Sequence, residues 1–446
     1  MKNICSPFAS NKDQMRLLKI GICLLLLPLA AIAQLRFNSL QELVQYADKN
    51  GVTAKQAQLQ ARMAAEDVHI SASGLYPKVN AFATGDYYPI IASQVIPAEV
   101  IGGTPGTYLK AQFGLPYVFT TGAEFSMPVV NLEKWAQLSK ARAQYTQAQW
   151  GSKTTLANYH IQLAQAYYQA LVTRAVLELN NENRTVADEL LRMMDQRNQA
   201  GVVNPSDYNR SRNLQLDVTA TGSNYYRAMQ QAQNNLLALL ANGEKEITID
   251  DSLGRFGWPS LQSPNDITNR AAWQEAVMRQ RVAELGFKES KRGALPRLSF
   301  NGRYAYNMQT KWNGDGQKVE FDVANVSMRL DVPLFQGNYY RSLRRKSSLQ
   351  LQYADLELQR TKATLTQQHG DWYEQYTAAY SKQKVLNDKV RSATDNLRIA
   401  RLNMAEGVME FDEFNNIFME YNRARMEQLQ NTADGILYYL LSTQNF

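Results

Sequence analysis

Residues 117–128, YVFTTGAEFSMP, alternate in polarity: Phe119, Thr121, Ala123, Phe125 and Met127 fall on one side, Thr120, Gly122, Glu124 and Ser126 on the other. A period of two predicts a strand with one apolar face. The same alternation runs through 78–88, 296–307 and 319–333, where Val326, Met328, Leu330 and Val332 oppose Ser327, Arg329 and Asp331. Between these segments the period changes. From Asn131 to Asn198 there is no proline and one glycine, Gly151, which predicts a helix of up to 68 residues. Such a helix is roughly 100 Å long at the usual rise per residue. A second proline-free helical stretch covers 338–404 and carries a heptad seam of Leu386, Val390, Ala393, Leu397, Ala400 and Met404. In the last helix, 411–442, Phe414, Ile417, Tyr421 and Ala424 form a stripe that Gln428 interrupts.

Punctuation divides these elements. Ser39 and Glu42 form a capping box for a first helix that Pro77 stops. Gly201 and Val202 make a turn, after which Asn204 caps and Pro205 opens a returning helix. Gly407 and Val408 repeat that turn before an acidic first turn. The stretch 89–116, rich in Gly, Pro and Ile, reads as loop. Pro77 and Pro296 precede the first strand of each half, and Pro128 and Pro333 end the second. From Pro128 to Gly201 is 73 positions and from Pro333 to Gly407 is 74. The chain is thus read as a tandem repeat of short helix, strand, strand, long helix and returning helix. The first repeat spans 34–243 with its long hairpin at 131–241, the second 269–446 with its hairpin at 338–442, and 244–268 join them.

Composition narrows the class. Residues 1–33 read as a secretory signal: Lys12, Arg16 and Lys19 precede an apolar run that ends in Ala31-Ile32-Ala33. Without Lys2, Lys12, Arg16, Lys19 and Asp13, the formal charge falls from +7 to +4, which does not argue for nucleic acid. Both cysteines, Cys5 and Cys23, lie in that signal, so the mature chain has no disulfide, thiolate nucleophile or amino-terminal lipidation site. His69, His160 and His369 are scattered, without ligand spacing. The methionines near the turns, among them Met193, Met404 and Met409, suit helical seams better than soft metals. No nucleotide loop, catalytic triad or metal motif is present, so neither an enzyme nor a cofactor is expected. No later segment reads as a membrane helix, so any membrane span must be built from strands.

Four strands with one apolar face cannot close a barrel alone, and open edges are intolerable in lipid. Pooling three chains gives twelve strands, and two long hairpins per chain give a helical tube. The expected fold is mainly α, with a small membrane β-barrel of twelve strands and a long α-helical barrel, in a homotrimer.

The ordered layout resembles the TolC family of outer-membrane efflux and secretion channels. The resemblance rests on the signal, the duplication, Pro77, Pro296, Pro128 and Pro333, and a tip phrase in which Arg197 precedes Gly201-Val202 and Asp207-Tyr208. It implies a passive duct of a tripartite efflux pump or type I secretion system, seated in the outer membrane with a periplasmic helical extension. The implied partners are a periplasmic adaptor, an inner-membrane pump of RND or ABC type, and outer-membrane lipid. Asp207 and Glu413 would ring the periplasmic aperture. Asn416 stands where another acid is common, and Met404 and Met409 stand where some members have the Tyr and Arg of a closing link. The turns at Arg197, Gly201, Val202, Gly407 and Val408 would meet the adaptor. A periplasmic coiled-coil scaffold is the alternative; it accounts for the hairpins but not for the paired strands.

Overall fold

The computed structural model describes residues 35–241, 243, 246–261, 266–311 and 318–443. The signal read at 1–33 lies outside the described residues. The elements are β1 (Leu35–Phe37), α1 (Leu40–Asn50), α2 (Val52–Ser73), β2 (Lys78–Tyr87), β3 (Ser93–Pro97), β4 (Tyr108–Gln112), β5 (Tyr117–Val130), α3 (Leu132–Gln199) and α4 (Pro205–Leu240). There follow β6 (Ile247–Ile249), α5 (Ala271–Arg292), β7 (Arg297–Thr310), β8 (Lys318–Asp331), α6 (Tyr339–Glu406) and α7 (Phe411–Thr443).

The two long helices, α3 and α6, have 68 residues each. Side chains cap α3 and α4: Asn131 Oδ1 accepts from the Lys134 amide at 3.0 Å, and Asn204 Oδ1 accepts from the Ser206 amide at 2.9 Å ahead of Pro205. The capping box also forms, with Ser39 Oγ accepting from the Glu42 amide and Glu42 Oε2 reaching back to the Asn38 amide at 2.8 Å. The whole predicted seam of α6, Leu386 to Met404, is buried. On α7 the deepest stripe is Phe411, Phe414 and Phe418, while Ile417 and Tyr421 are half-buried flanks. Phe414 and Ala424 of the expected stripe are buried, and between them Phe418, stacked on Phe414 at 6.3 Å, takes the buried place expected of Ile417.

β2, β5, β7 and β8 form one antiparallel sheet in that order. Pro128 does not end β5. The strand runs on to Val130, and the pairing with β7 shifts between Pro128 and Val130, so the proline sits at a bulge that spares it a ladder bond. Pro77 and Pro296 directly precede β2 and β7, and Pro333 follows β8 by two residues. The segment read as loop at 89–116 contains the antiparallel β3–β4 hairpin.

Midway along the helices a core joins the chain ends to both hairpins. β1 and β6 pair in parallel there, and Phe37, Leu43, Leu163, Tyr167, Leu236, Leu240, Ile247 and Ile436 pack together. Arg174 of α3 clamps the joining segment through the carbonyls of Ile249 and Asp251. Tyr167 donates to Asp251 Oδ2 at 2.8 Å; its burial, with that carboxylate beside it, pushes the phenol far up. Burial also raises Tyr159 to about 12 while its hydroxyl donates to the Leu239 carbonyl at 3.0 Å.

Candidate functional site

Strand register sorts the sheet into two unlike faces. One carries Val79, Ala81 and Ala83 on β2, Phe119, Ala123, Phe125 and Met127 on β5, Leu298 and Phe300 on β7, and Val326, Met328 and Leu330 on β8. Toward the strand ends farthest from the long helices this face holds Tyr87 stacked on Tyr117 at 4.8 Å, with Tyr306 below them and Lys318, Glu320 and Asp322 on β8, while Tyr304 sits at mid-strand opposite Ala123. An apolar band finished by tyrosines is what a bilayer and its interface select. One glycine of the band, Gly85, is roofed by the neighbouring Phe119 ring.

The opposite face is polar. One row across it reads Asn80, Glu124, Arg303 and Asn325. Asn80 Nδ2 donates to Glu124 Oε1 at 3.3 Å, and the Arg303 guanidinium lies 4.6 Å over the Phe82 ring, covering an aromatic that would otherwise meet water. Gly122 has no room for a side chain: a Cβ there would stand 2.1 Å from the Tyr304 carbonyl oxygen. The arrangement suits a lipid-facing exterior and a water-filled interior.

At the other end of the molecule the helical hairpins turn. Gly201 and Gly407 adopt φ of +73° and +82°, a conformation that a Cβ disfavours. Both turns close in the same way. The Val202 amide donates to the Arg197 carbonyl and the Val408 amide to the Asn403 carbonyl, each at 3.0 Å. Val202 and Val408 project at the turns, 74% and 73% exposed. Arg197 Nη2 crosses to the Ala405 carbonyl at 2.9 Å, and its guanidinium lies 3.1 Å from where a Cβ of residue 407 would stand.

Of the aperture residues read from the sequence, Asp207 is partly exposed and lies 3.8 Å from Arg210 Nη1. Glu413 and Asn416 are exposed on the first turns of α7. Met409 is half-buried at the turn, and Met404 is fully buried among Leu397, Ala400, Phe411 and Phe414. Arg210 also pairs with Asp412 Oδ2 at 2.6 Å, and Arg401 pairs with Glu189, so both ties join one hairpin to the other. Sequence reading missed these arginines. Asp207 and Arg210 have the spacing of an intrahelical pair, but Asp412 becomes a neighbour only once the hairpins are placed.

The family model described as outer membrane efflux protein matches residues 43–242. No curated protein matches the sequence. Among solved structures the fold is similar to a membrane protein from Pseudomonas aeruginosa, at 18% identity over 90% of this chain and 92% of that one, with a TM-score of 0.70. It is also similar to the CmeC outer membrane channel of Campylobacter jejuni, at 14% identity over 90% and 85% of the two chains, with a TM-score of 0.73. The outer membrane protein VceC of Vibrio cholerae aligns at 14% identity over 90% and 95%, with a TM-score of 0.70. At these identities the likeness is one of fold. Residues 43–242 thus match the outer membrane efflux protein family, and the described chain has the fold of outer-membrane channels.

Proposed function

We propose that the protein is a passive outer-membrane exit duct of a tripartite efflux pump or type I secretion system, working as a homotrimer whose twelve pooled strands form one barrel. The observation that carries this reading is an incomplete ring. Among the described residues the sheet ends in two unpaired edges, β2 and β8, and one of its faces is apolar throughout the middle. Such edges are unstable in lipid unless another chain pairs with them.

The helices repeat the argument. α3 is flanked by α2 of its own repeat and by α5 of the next. α6 is flanked by α5 of its own repeat, and among the described residues no helix packs extensively on the other flank. By the internal repeat the occupant of that flank is α2 of a neighbouring copy. Lys140 of α3 pairs with Glu289 of α5 at 3.1 Å, and Gly151 faces Glu275. Carried over by the offsets from Pro128 to Pro333 and from Pro77 to Pro296, this register sets Leu59 of one copy near Leu356 of the next. Glu66 and Asp67 of α2 then approach Arg345 and Lys346 of the neighbour. The neighbour's α2 thus brings acids to the basic stretch Arg341–Lys346 of α6.

The hairpin tips, with exposed Val202 and Val408 beside Gly201 and Gly407, suit a periplasmic adaptor that links the duct to an inner-membrane RND or ABC pump. The test is a Leu59→Cys, Leu356→Cys double variant treated with a short bis-maleimide in detergent. A covalent ladder ending at three copies, with channels in planar bilayers, is expected. A detergent-free monomer without cross-links would overturn the duct and favour a periplasmic scaffold.

A further inference from the structure

The two repeats differ at the membrane-distal rim. β7 and β8 are joined by seven residues, 311–317, whereas β2 and β5 are separated by residues 88–116, which hold the β3–β4 hairpin. The fold does not need that insertion, since the second repeat manages without it. It is nevertheless organised. The Ala98 amide donates to the Thr107 carbonyl at 2.9 Å, Glu99 Oε1 accepts from the Gly106 amide at 2.6 Å, and Gly102 takes φ of +80° to close the tip. Glu99 is thereby engaged internally, which leaves Lys110 as the one other charge between 89 and 116. Outward the hairpin presents Val95, Val100, Ile101 and Tyr108, all exposed.

A second apolar surface lies at the same rim. The polar face of the sheet is polar along most of its height, yet its distal end carries Val118 on β5 and Val319, Phe321 and Val323 on β8. The three β8 side chains are exposed among the described residues. The segment that returns from the hairpin to β5 is tied to this face: the Leu115 amide donates to Oε1 of Gln309, a residue of the polar face, at 3.3 Å. In the pooled barrel, β8 of one copy adjoins β2 of the next, so the collar on β8 lies beside the root of the neighbour's hairpin.

We propose that the β3–β4 hairpin of each copy folds over the outer mouth and docks on the Val319, Phe321 and Val323 collar of the adjoining copy, forming an apolar constriction at the extracellular end. Each surface supplies the apolar cover that the other lacks. An apolar ring narrows the aqueous path and resists wetting, so the outer mouth becomes a second barrier besides the periplasmic tip. The proposal rests on the pooled barrel of the duct reading.

The experiment uses the full chain in native outer membranes, which brings no cysteine of its own beyond the signal. An Ile101→Cys, Phe321→Cys double variant is oxidised alongside the Leu59→Cys, Leu356→Cys variant. Covalently linked copies from both pairs are expected. A second variant, with 93–112 replaced by a short Gly-Ser turn, should at least double single-channel conductance while the Leu59–Leu356 link still forms. Links between the helices without links at the rim would overturn the docking and leave the duct standing. Absence of both would overturn the duct itself. A spin label at Ile101 relaxed by lipid-soluble oxygen would assign the hairpin to lipid and overturn the constriction, as would an unchanged conductance in the shortened variant.

Discussion

Arg210 of α4 and Asp412 of α7 meet at 2.6 Å across the two hairpin tips, and the same guanidinium stands 3.8 Å from Asp207. One arginine thus partly neutralises two carboxylates at the level where the aperture is proposed. Both partners of the tie are largely exposed, so its contribution to stability is about 0.2–1 kcal/mol. Its effect on the local field is larger in consequence, because removal uncovers Asp207 and Asp412 together. Arg210→Ala is therefore expected to leave the melting temperature nearly unchanged and to raise cation preference, read as reversal potential across a salt gradient. Asp207→Ala with Glu413→Ala should shift the potential the opposite way. Unchanged potentials in both variants would remove these carboxylates from the conduction path.

Met404 tests the tip from the inside. Its side chain is fully buried among Leu397, Ala400, Phe411 and Phe414. Truncation leaves a cavity between α6 and α7, and such changes cost about 2–5 kcal/mol. Met404→Ala should increase hydrogen exchange in both tips while leaving the membrane sheet protected. If exchange is unaffected, the methionine packs more loosely than its burial indicates.

His369 carries a pH dependence. It is buried on α6, its Nε2 donating to the Ser442 carbonyl at 3.2 Å, and burial together with the nearby Arg270 guanidinium lowers its pKa below the ordinary 6.5. The unfolded chain then binds this proton at a higher pH than the folded chain does. Stability linked to His369 is complete above about 6.5 and declines as pH falls below it. Thermal unfolding between pH 7.5 and 5 should show a positive slope of melting temperature with pH, flattened in His369→Gln. An equal slope in the variant would place the titration elsewhere.

Much of this architecture is legible in the sequence because long elements average over many residues. The seam from Leu386 to Met404 repeats a 3.5-residue period for almost three heptads, and every member is buried. The β8 alternation fixes Val326, Met328 and Leu330 on one face without reference to any neighbour. Short and non-local features stayed hidden. β1 and β6 are three residues each and pair in parallel across more than 200 positions, which no local pattern announces. The β3–β4 hairpin hides among Gly and Pro residues that read as loop, and its turn is held by Glu99 and Thr107 rather than by a two-residue turn signal. The tip ties escaped for the same reason: Arg210 and Arg401 look like solvated surface charges until Asp412 and Glu189 are brought opposite them.

Trp258 shows how the joining segment holds the second hairpin, and it yields the most direct optical test. It takes φ of +50°, and its indole fills the notch left by Gly435 on α7: a Cβ there would stand 2.3 Å from the ring. The ring stacks on Tyr376 at 6.2 Å and meets Phe256 edge-on at 5.3 Å. A left-handed conformation at a tryptophan costs energy that only good packing offsets. Gly435→Ala adds a methyl group where the indole lies, and the helix backbone cannot retreat without breaking its own ladder. The side chain that moves is therefore Trp258. Expected are a red-shifted Trp258 emission, read in a background where the other tryptophans are replaced by Phe, and a loss of about 1–3 kcal/mol from overpacking. Trp258→Ala should cost a comparable amount, and adding Gly435→Ala to it should cost little more, because the two changes act on one contact. Additive losses would show that Gly435 serves the α7 backbone rather than the clasp.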